Sequence, residues 1–478
     1  MSQATRASVI CLLFLLVPSL IAATSAAVVP GDKTAHIDVF AKDGQSHFAL
    51  HLAPTVARPT SRPRDVVILF DTSASQTGAY RDKALAALDA LLAGLRPVDR
   101  VQLFAVDLNA IPLIDHFAPV ADAAARRALA ALRDRVPLGA TDMEAALAAT
   151  TAAFPAKTDP ARARAAVYIG DGMSTANLLA SREARPLVDQ LRARQVPLTS
   201  YAIGPRLDVS LLACLARQTG GVLAVDGENF TSGQIGNWLA AAVQTPVIWP
   251  AAVELPSSLH NLSGNHGLPL RFDRDTILLG EGTLAQASAV KMQADVGGQI
   301  QTLEWKLAPV PSNGDFAFLE ALVKSGRQDE GLSVPALGSE GLAELGRLSL
   351  MDAHALKQLG HVALAAGDAE QAKRLANEAL SMNTADAEAE ALLRAAQHAG
   401  EPGAAAPDIK FSLIGTDADD PNGQAAEAGN NDGGLLDAVD RDRRVLQQAI
   451  QTEVRSAIND ARTHMTEAPE LVTDNLKL

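Results

Sequence analysis

Five oxygen-bearing side chains stand where apolar stretches of the sequence end or where a helix-like stretch begins. Asp71, Ser73 and Ser75 follow the apolar run VVILF in the stretch VVILFDTSASQTG. Thr141 precedes the helix-like part of LGATDMEAAL, and Asp171 ends the apolar run in AVYIGDGMST. Carboxylate and hydroxyl oxygens are the ligands that hard divalent cations prefer. The Asp-x-Ser-x-Ser pattern alone is equally typical of a turn, because Asp and Ser side chains bond to the nearby backbone.

The elements around these residues predict a doubly wound, mostly parallel, Rossmann-like α/β sheet over residues 65–245. Apolar runs such as RVQLFAV, RAAVYIG and PLTSYAIG alternate there with helix-like stretches such as AYRDKALAALDALLAGL. Buried strands alternating with helices indicate a parallel sheet whose right-handed crossovers place helices on both faces. Ligands of such sheets bind at the carboxyl ends of the strands. The acidic and hydroxyl side chains are therefore expected to meet at one edge of the sheet.

Together, the three stretches resemble the metal-ion-dependent adhesion site (MIDAS) of the von Willebrand factor type A (VWA) domain, the fold shared with the integrin inserted domain. The resemblance spans residues 65–245 and fills all five positions in the family's order. It implies Ser73, Ser75 and Thr141 as direct or near-direct ligands of a cation. Asp71 and Asp171 are then expected to act through water and to orient the hydroxyls.

The resemblance also implies a role for the cation. Mg²⁺ is the expected ion, with Mn²⁺ and Ca²⁺ as alternatives, and an Asp or Glu of a partner protein is expected to complete its shell. Neutral hydroxyl ligands leave such an ion with positive charge, which favours an anionic partner. At Gly170, many relatives carry Thr or Ser. A hydrogen bond to the site is therefore expected to be missing.

Composition narrows the classes of function. The 478 residues carry a formal net charge of -14, which argues against nucleic-acid binding and against docking on an anionic membrane. Neither a Gly-x-Ser-x-Gly elbow, nor a His-Glu-x-x-His motif, nor a Walker phosphate loop occurs in the sequence. A metal-dependent binding module is therefore the first hypothesis and no catalytic residue is assigned. A scaffold that acts through its helical part, or a metal-dependent hydrolase, is the alternative.

The N-terminus predicts export. Residues 1–27 combine Arg6, an apolar stretch and the small residues Ser25, Ala26 and Ala27, as in a secretory signal peptide that is cleaved near Ala26 or Ala27. The apolar stretch of about 15 residues is short for a membrane span, which needs about 20. The mature chain is thus expected to be periplasmic, cell-surface or secreted, without an integral span. It keeps one cysteine, Cys214, and hence no intramolecular disulfide.

Two regions outside the α/β stretch predict β-structure. Residues 33–55 contain two runs in which apolar and polar residues alternate. An Asp-Gly dipeptide separates the runs, which predicts a hairpin. Residues 246–325 contain short runs such as TILLG, QIQTLEWKL and FAFLEALV, which predict a small β-rich domain that the hairpin could complete.

The hairpin also carries a group of histidines. His47 and His51 share one face of the second run, and His36 and Asp38 lie on the first run. Polar positions that alternate with apolar ones are expected to face solvent. A metal cluster of these side chains is the alternative reading.

The C-terminal part divides into three predicted segments. Residues 336–399 are helical and contain one stretch similar to a tetratricopeptide (TPR) repeat, expected either as a hairpin docked on its own chain or as a peptide-binding groove. The positions at that repeat's consensus spacing are Leu356, Leu359, Gly360, Ala363, Gly367, Ala372, Ala376 and Ala379. Residues 400–434 predict a flexible acidic linker, and residues 435–478 an amphipathic helix that packs on the body or mediates self-association.

Overall fold

The structure is a computed structural model that describes residues 34–157, 159–227 and 229–399. The predicted signal peptide, the acidic linker and the C-terminal amphipathic helix lie outside the described residues. Within the described ranges, no helix has both the length and the apolar character needed to cross a membrane.

The first two strands form a hairpin, β1 (Ala35–Lys42) and β2 (Gln45–Leu52). Asp43 and Gly44 make the turn with φ angles of 51° and 78°. Two successive residues at positive φ suit a tight hairpin turn, whose backbone twist matches that of the flanking strands. His36 lies directly opposite His51 in the pairing register.

A mixed, mostly parallel sheet of seven strands follows. Its strands are β3 (Arg64–Asp71), β4 (Arg100–Val106), β5 (Ala110–Pro112), β6 (Ala118–Pro119), β7 (Ala163–Gly170), β8 (Leu198–Ala202) and β9 (Leu223–Val225). The spatial order is β5-β4-β3-β7-β8-β9, and β6 pairs with β4. The longest parallel strands run unbroken through the interior, since residues 66–70 of β3 are fully buried.

Helices cover both faces of this sheet, which confirms the predicted α/β fold class. They are α1 (Gly78–Gly94), α2 (Ala123–Asp134), α3 (Met143–Ala153), α4 (Ser181–Ala193), α5 (Val209–Thr219) and α6 (Ser232–Gln244). One apolar core lies between the sheet and helices α1, α2 and α6, and a second lies between the sheet and helices α3, α4 and α5. Side chains of β3 alternate between these two cores, as the two-residue period of a strand requires.

A β-sandwich packs beside the α/β domain. Its remaining strands are β10 (Val247–Glu254), β11 (Leu259–Asn261), β12 (Leu270–Arg271), β13 (Thr276–Gly282), β14 (Ser288–Val296) and β15 (Gln299–Leu307). One sheet has the order β1-β2-β13-β11 and the other the order β12-β10-β14-β15. Phe48, Leu50, Met292 and Trp305 lie in the core between the two sheets. The N-terminal hairpin is thus part of the sandwich.

Four helices follow the sandwich. They are α7 (Phe318–Gly326), α8 (Gly338–Ala365), α9 (Ala369–Met382) and α10 (Ala387–Ala399). Helix α7 and the start of α8 cover the outer face of the sheet that contains β2. In the TPR-like stretch, Gly360, Ala372, Ala376 and Ala379 are buried between helices α8, α9 and α10, whereas Leu359 is 56% exposed.

Two expectations from the sequence are wrong. The run FAFLEALV, expected within a β-rich region, lies mostly in helix α7, because Phe318, Leu319 and Val323 fall on one side of a helix and pack on the sheet. His47 and His51, expected to face solvent, are only 1% and 4% exposed. Helices α7 and α8 cover the face on which these histidines lie.

Candidate metal centre

Three loops meet at the carboxyl edge of the central sheet. The first follows β3, the second follows β7 and the third precedes α3. Backbone hydrogen bonds hold them together, from Ala74 N–H to Gly139 O at 3.0 Å and from Ala176 N–H to Thr141 O at 3.1 Å. The loops that carry the predicted ligands are therefore fixed to one another by the main chain.

The structure brings all five predicted residues together. Thr141 Oγ1 lies 3.0 Å from Asp71 Oδ2 and 3.2 Å from Asp71 Oδ1. Ser73 N–H donates to Asp71 Oδ1 at 2.9 Å, and the two serine hydroxyls are 3.0 Å apart. Ser75 Oγ donates to Asp171 Oδ2 at 2.5 Å. The five residues are thus linked by hydrogen bonds, and four of them, Ser73, Ser75, Thr141 and Asp171, line a cavity of about 210 Å³.

Thr141 could either cap α3 or turn towards the crevice. Asp142 is the N-cap of α3, and its side chain accepts a hydrogen bond from Ala145 N–H at 2.9 Å. Since Asp142 already accepts the hydrogen bond at the N-terminus of α3, the Thr141 hydroxyl is directed at Asp71 instead.

The two carboxylates are buried without a basic partner. Asp71 is fully buried and Asp171 is 2% exposed. Their hydrogen bonds come from backbone N–H groups and hydroxyls, and no lysine or arginine of the described chain forms an ion pair with either acid. Burial, followed by the charge of Asp171, raises the pKa of Asp71 to about 6. A cation between the acids would remove this electrostatic cost.

Tyr168 is a site residue that the sequence analysis missed. Its hydroxyl donates to Asp71 Oδ2 at 2.8 Å and accepts from Gly172 N–H at 3.1 Å. Burial raises the pKa of this phenol well above its usual range, so it stays a neutral donor. A Cβ atom at Gly170 would lie 2.5 Å from the Tyr168 hydroxyl oxygen and 2.4 Å from Asp71 Cβ.

Gly170 therefore makes room for the phenol of Tyr168. Gly170 itself has no side chain to supply a hydrogen bond, and Tyr168, two residues earlier on β7, donates one to Asp71. Residues two apart on a strand point to the same face, so the Tyr-x-Gly spacing was a signal available in the sequence.

A fourth loop, after β8, also borders the cavity. Pro205 and Arg206 line it and are exposed. Asp208 N–H donates to Asp171 O at 2.9 Å, which fixes this loop to the one that carries Asp171. Arg206 thus places a positive charge at the rim of the cavity.

Residues 64–225 match the family model of the von Willebrand factor type A domain. This stretch is a VWA domain. No curated protein matches the chain. Among solved structures, a von Willebrand factor type A protein from Catenulispora acidiphila shares 15% identity with a TM-score of 0.41, covering 76% of this chain and 87% of its own. The ArnB paralog VWA2 from Sulfolobus acidocaldarius shares 13% identity with a TM-score of 0.38, covering 76% and 93%.

The donor set of this VWA domain suits one class of ion. Every predicted ligand is a hydroxyl or carboxylate oxygen, and neither a thiol nor an imidazole lines the cavity. Hard cations such as Mg²⁺, Mn²⁺ and Ca²⁺ take such oxygen ligands, whereas softer ions prefer nitrogen and sulfur. The residues therefore fit a hard divalent cation.

Proposed function

We propose that the VWA domain binds a divalent cation, preferentially Mg²⁺, and uses it to bind an acidic side chain of a partner protein. Ser73, Ser75 and Thr141 would hold the cation through their hydroxyl oxygens. Asp71 and Asp171 would neutralise it and orient the hydroxyls. The chain is then a metal-dependent adhesion or assembly module, and no enzymatic step is assigned to it.

The observation that carries this proposal is the pair of buried, unpaired carboxylates. Burying a charge without a partner is costly, so buried acids in proteins are normally paired or bound to metal. At this site the neighbours of Asp71 and Asp171 are neutral oxygens and N–H groups, which can orient a carboxylate but cannot neutralise it. A bound cation supplies the missing charge.

The same site favours an acidic partner. Three neutral hydroxyls and two carboxylates leave room for an exogenous ligand, since Mg²⁺ takes a near-octahedral shell. The cavity opens between exposed residues, and Arg206 at its rim adds positive charge. An Asp or Glu side chain meets both features.

Cation binding is tested by titrating the full chain with MgCl₂ and MnCl₂ in a calorimeter. We expect one Mg²⁺ or Mn²⁺ ion at this site in the wild type and none at this site in Asp71→Ala, with an unchanged circular dichroism spectrum. Asp115→Ala is the matched control, because Asp115 is an exposed aspartate of the same domain. Unchanged binding in Asp71→Ala would overturn the proposal.

Partner binding is tested by affinity capture from the native cell envelope with and without EDTA. We expect a partner that wild-type protein retains in Mg²⁺ and releases in EDTA, and that Asp71→Ala does not retain. Capture that persists in EDTA and in Asp71→Ala would mean that the metal site is not the binding surface.

A scaffold that acts through its helices is a second candidate, and one observation favours it. Helix α8 exposes Leu348, Met351, Leu359 and Val362, which are 41%, 56%, 56% and 66% exposed. Their spacing of three, eight and three residues places them on one face. If this face binds the partner, Leu359→Glu with Val362→Glu will abolish capture and Asp71→Ala will not.

We also propose that the chain is exported, on the basis of the signal-peptide pattern in residues 1–27. Fractionation of the native host, with an antibody against the chain, tests this. Retention of an uncleaved chain in the cytoplasm would contradict it.

A further inference from the structure

A second group of potential ligands lies outside the VWA domain, where the N-terminal hairpin meets the start of α8. His36 and Asp38 lie on β1, and His51 lies on β2. One ligand atom from each residue lies within 4.8 Å of the others. His36 and His51 face each other across the two strands, and their rings stack at 3.9 Å.

His51 is held as metal-binding histidines commonly are. Its Nδ1 lies 2.9 Å from Asp275 Oδ2 and 2.8 Å from Ser339 Oγ. Asp275 is fixed in turn, because its Oδ1 accepts from Ser339 N–H at 2.9 Å. Ligating histidines usually donate their second ring N–H to a carboxylate, which sets the tautomer and the ring orientation. The Nε2 atom of His51 therefore points towards Asp38, whose Oδ2 lies 3.0 Å away.

This group is accessible from outside. The three residues open into a cavity of about 600 Å³ between the sheet and α8, which Phe316, Phe318 and Leu342 also line. The side chain of His36 is 61% exposed, whereas that of His51 is 5% exposed. The fold thus holds His51 in a fixed orientation, and His36 lies at the entrance of the cavity.

We propose that His36, Asp38 and His51 bind a zinc-class transition-metal ion, with the fourth coordination position open to the cavity. Two imidazoles and one carboxylate match the ligands of Zn²⁺ sites that keep an open position. Imidazole favours Zn²⁺ and related ions over Mg²⁺ and Ca²⁺, which prefer oxygen. This site and the all-oxygen site of the VWA domain would therefore take different classes of metal.

Binding requires one movement. Two stacked rings cannot both direct a nitrogen lone pair at one ion, so His36 has to rotate out of the stack. Its Nε2 now lies 4.0 Å from Asp38 Oδ2, whereas two ligands of tetrahedral Zn²⁺ are about 3.3 Å apart. His51 and Asp38 are already near that separation. The exposed His36 side chain has room to make the change.

The test is a calorimetric titration of the full chain, without a polyhistidine tag, with ZnCl₂ in excess Mg²⁺. We expect one Zn²⁺ ion bound per chain and, with CoCl₂, the visible absorption of four-coordinate Co²⁺. His36→Ala and Asp38→Asn should each weaken Zn²⁺ binding at least tenfold. Both positions are partly or largely exposed, so the fold is expected to survive.

His260→Ala is the matched control, because His260 is an exposed histidine of the same sandwich on β11. It should leave the Zn²⁺ affinity unchanged. Absence of Zn²⁺ binding would overturn the proposal. So would wild-type affinity in both His36→Ala and Asp38→Asn, because the ion would then sit elsewhere.

Discussion

The buried hydroxyl of Tyr168 is the residue-scale feature that most affects the proposed cation site. It donates a hydrogen bond to Asp71 Oδ2, and the Ser73 N–H group and the Thr141 hydroxyl donate to the same carboxylate. We expect Tyr168→Phe to weaken Mn²⁺ binding by about tenfold, in line with the loss of other hydrogen bonds that orient metal ligands. Calorimetry measures the affinity and circular dichroism checks the fold.

Tyr80→Phe is the control for this prediction, since Tyr80 is an exposed tyrosine of the same domain. Its affinity should equal that of the wild type. If Tyr168→Phe also binds Mn²⁺ as tightly as the wild type, the phenol only fills space.

Gly170 is a second residue at which the structure makes a prediction. A Cβ atom there would lie 2.4 Å from Asp71 Cβ, far inside van der Waals contact. We expect Gly170→Ala to lower the free energy of unfolding by about 1–3 kcal/mol, as overpacking of a tight core does. Urea denaturation measures this change in the free energy of unfolding. Gly233→Ala, where nothing lies within 4 Å of the added atom, should cost nothing, and equal losses in both variants would refute the packing argument.

At the scale of elements, Arg271 joins the sandwich to the VWA domain. Its guanidinium donates to Gly220 O just after α5 and to Ala242 O near the end of α6, at 3.0 and 3.1 Å. We expect Arg271→Met to lower the free energy of unfolding by about 3 kcal/mol, because it leaves buried carbonyls and the Asp273 carboxylate without their donor. Arg182→Met changes a side chain that is 92% exposed and should therefore alter the free energy of unfolding little. Equal stability of the two variants in urea would contradict this role.

Helices α8 and α10 are joined by a charged group that makes stability depend on pH. Lys357 Nζ lies 2.8 Å from Asp386 and 2.7 Å from Glu388. Burial raises the pKa of Asp386, but the hydrogen bonds from Lys357 and from the Ala389 and Glu388 N–H groups, with the charge of Lys357, together outweigh it and lower the pKa below its ordinary 3.8. Burial lowers the pKa of Lys357, but its two acidic partners raise it above 10.5.

The direction of the pH effect follows from these shifts. A lowered acid pKa stabilises the fold above pH 3.8, and this contribution is lost as the pH falls through the folded value. We expect Lys357→Met to reduce the melting temperature at neutral pH. The melting temperature of this variant should also decrease less than that of the wild type as the pH is lowered. Thermal denaturation measured by circular dichroism between pH 3 and 7 tests this. Lys373→Met, which removes an exposed pair with Glu370, should keep the wild-type slope.

The sequence predicted those elements whose packing is determined by residues close to them along the chain. The strands of the VWA domain were recognisable because both faces are buried and the run is continuously apolar, as in β3. The loops with Asp71 and Asp171 followed from the ends of those strands, and the loop with Thr141 followed from the start of α3. Helix α7 was missed because its FAF start alternates like a strand, and the burial of His51 depends on α8, about 290 residues away.

At the scale of the whole molecule, a bound cation should stabilise the folded chain. A ligand that binds only the native state at a concentration 100 times its dissociation constant adds about 2.7 kcal/mol to the free energy of unfolding. We expect Mg²⁺ to raise the melting temperature by several degrees and EDTA to reverse the change. Asp71→Ala should show no shift, and a similar rise in that variant would indicate non-specific salt effects.

The position of the hairpin in the sandwich has a consequence for biosynthesis. Strand β2 pairs with β13, and Leu52 lies opposite Thr276, so these partners leave the ribosome about 220 residues apart. Meanwhile the complete VWA domain, with its mostly local βα connections, has emerged and can fold. Until β13 has been synthesised, the edge of β2 that pairs with it stays unpaired. An unpaired strand edge is the kind of surface that aggregates. Nascent chains that stall before residue 276 should therefore be the ones that depend most on chaperones.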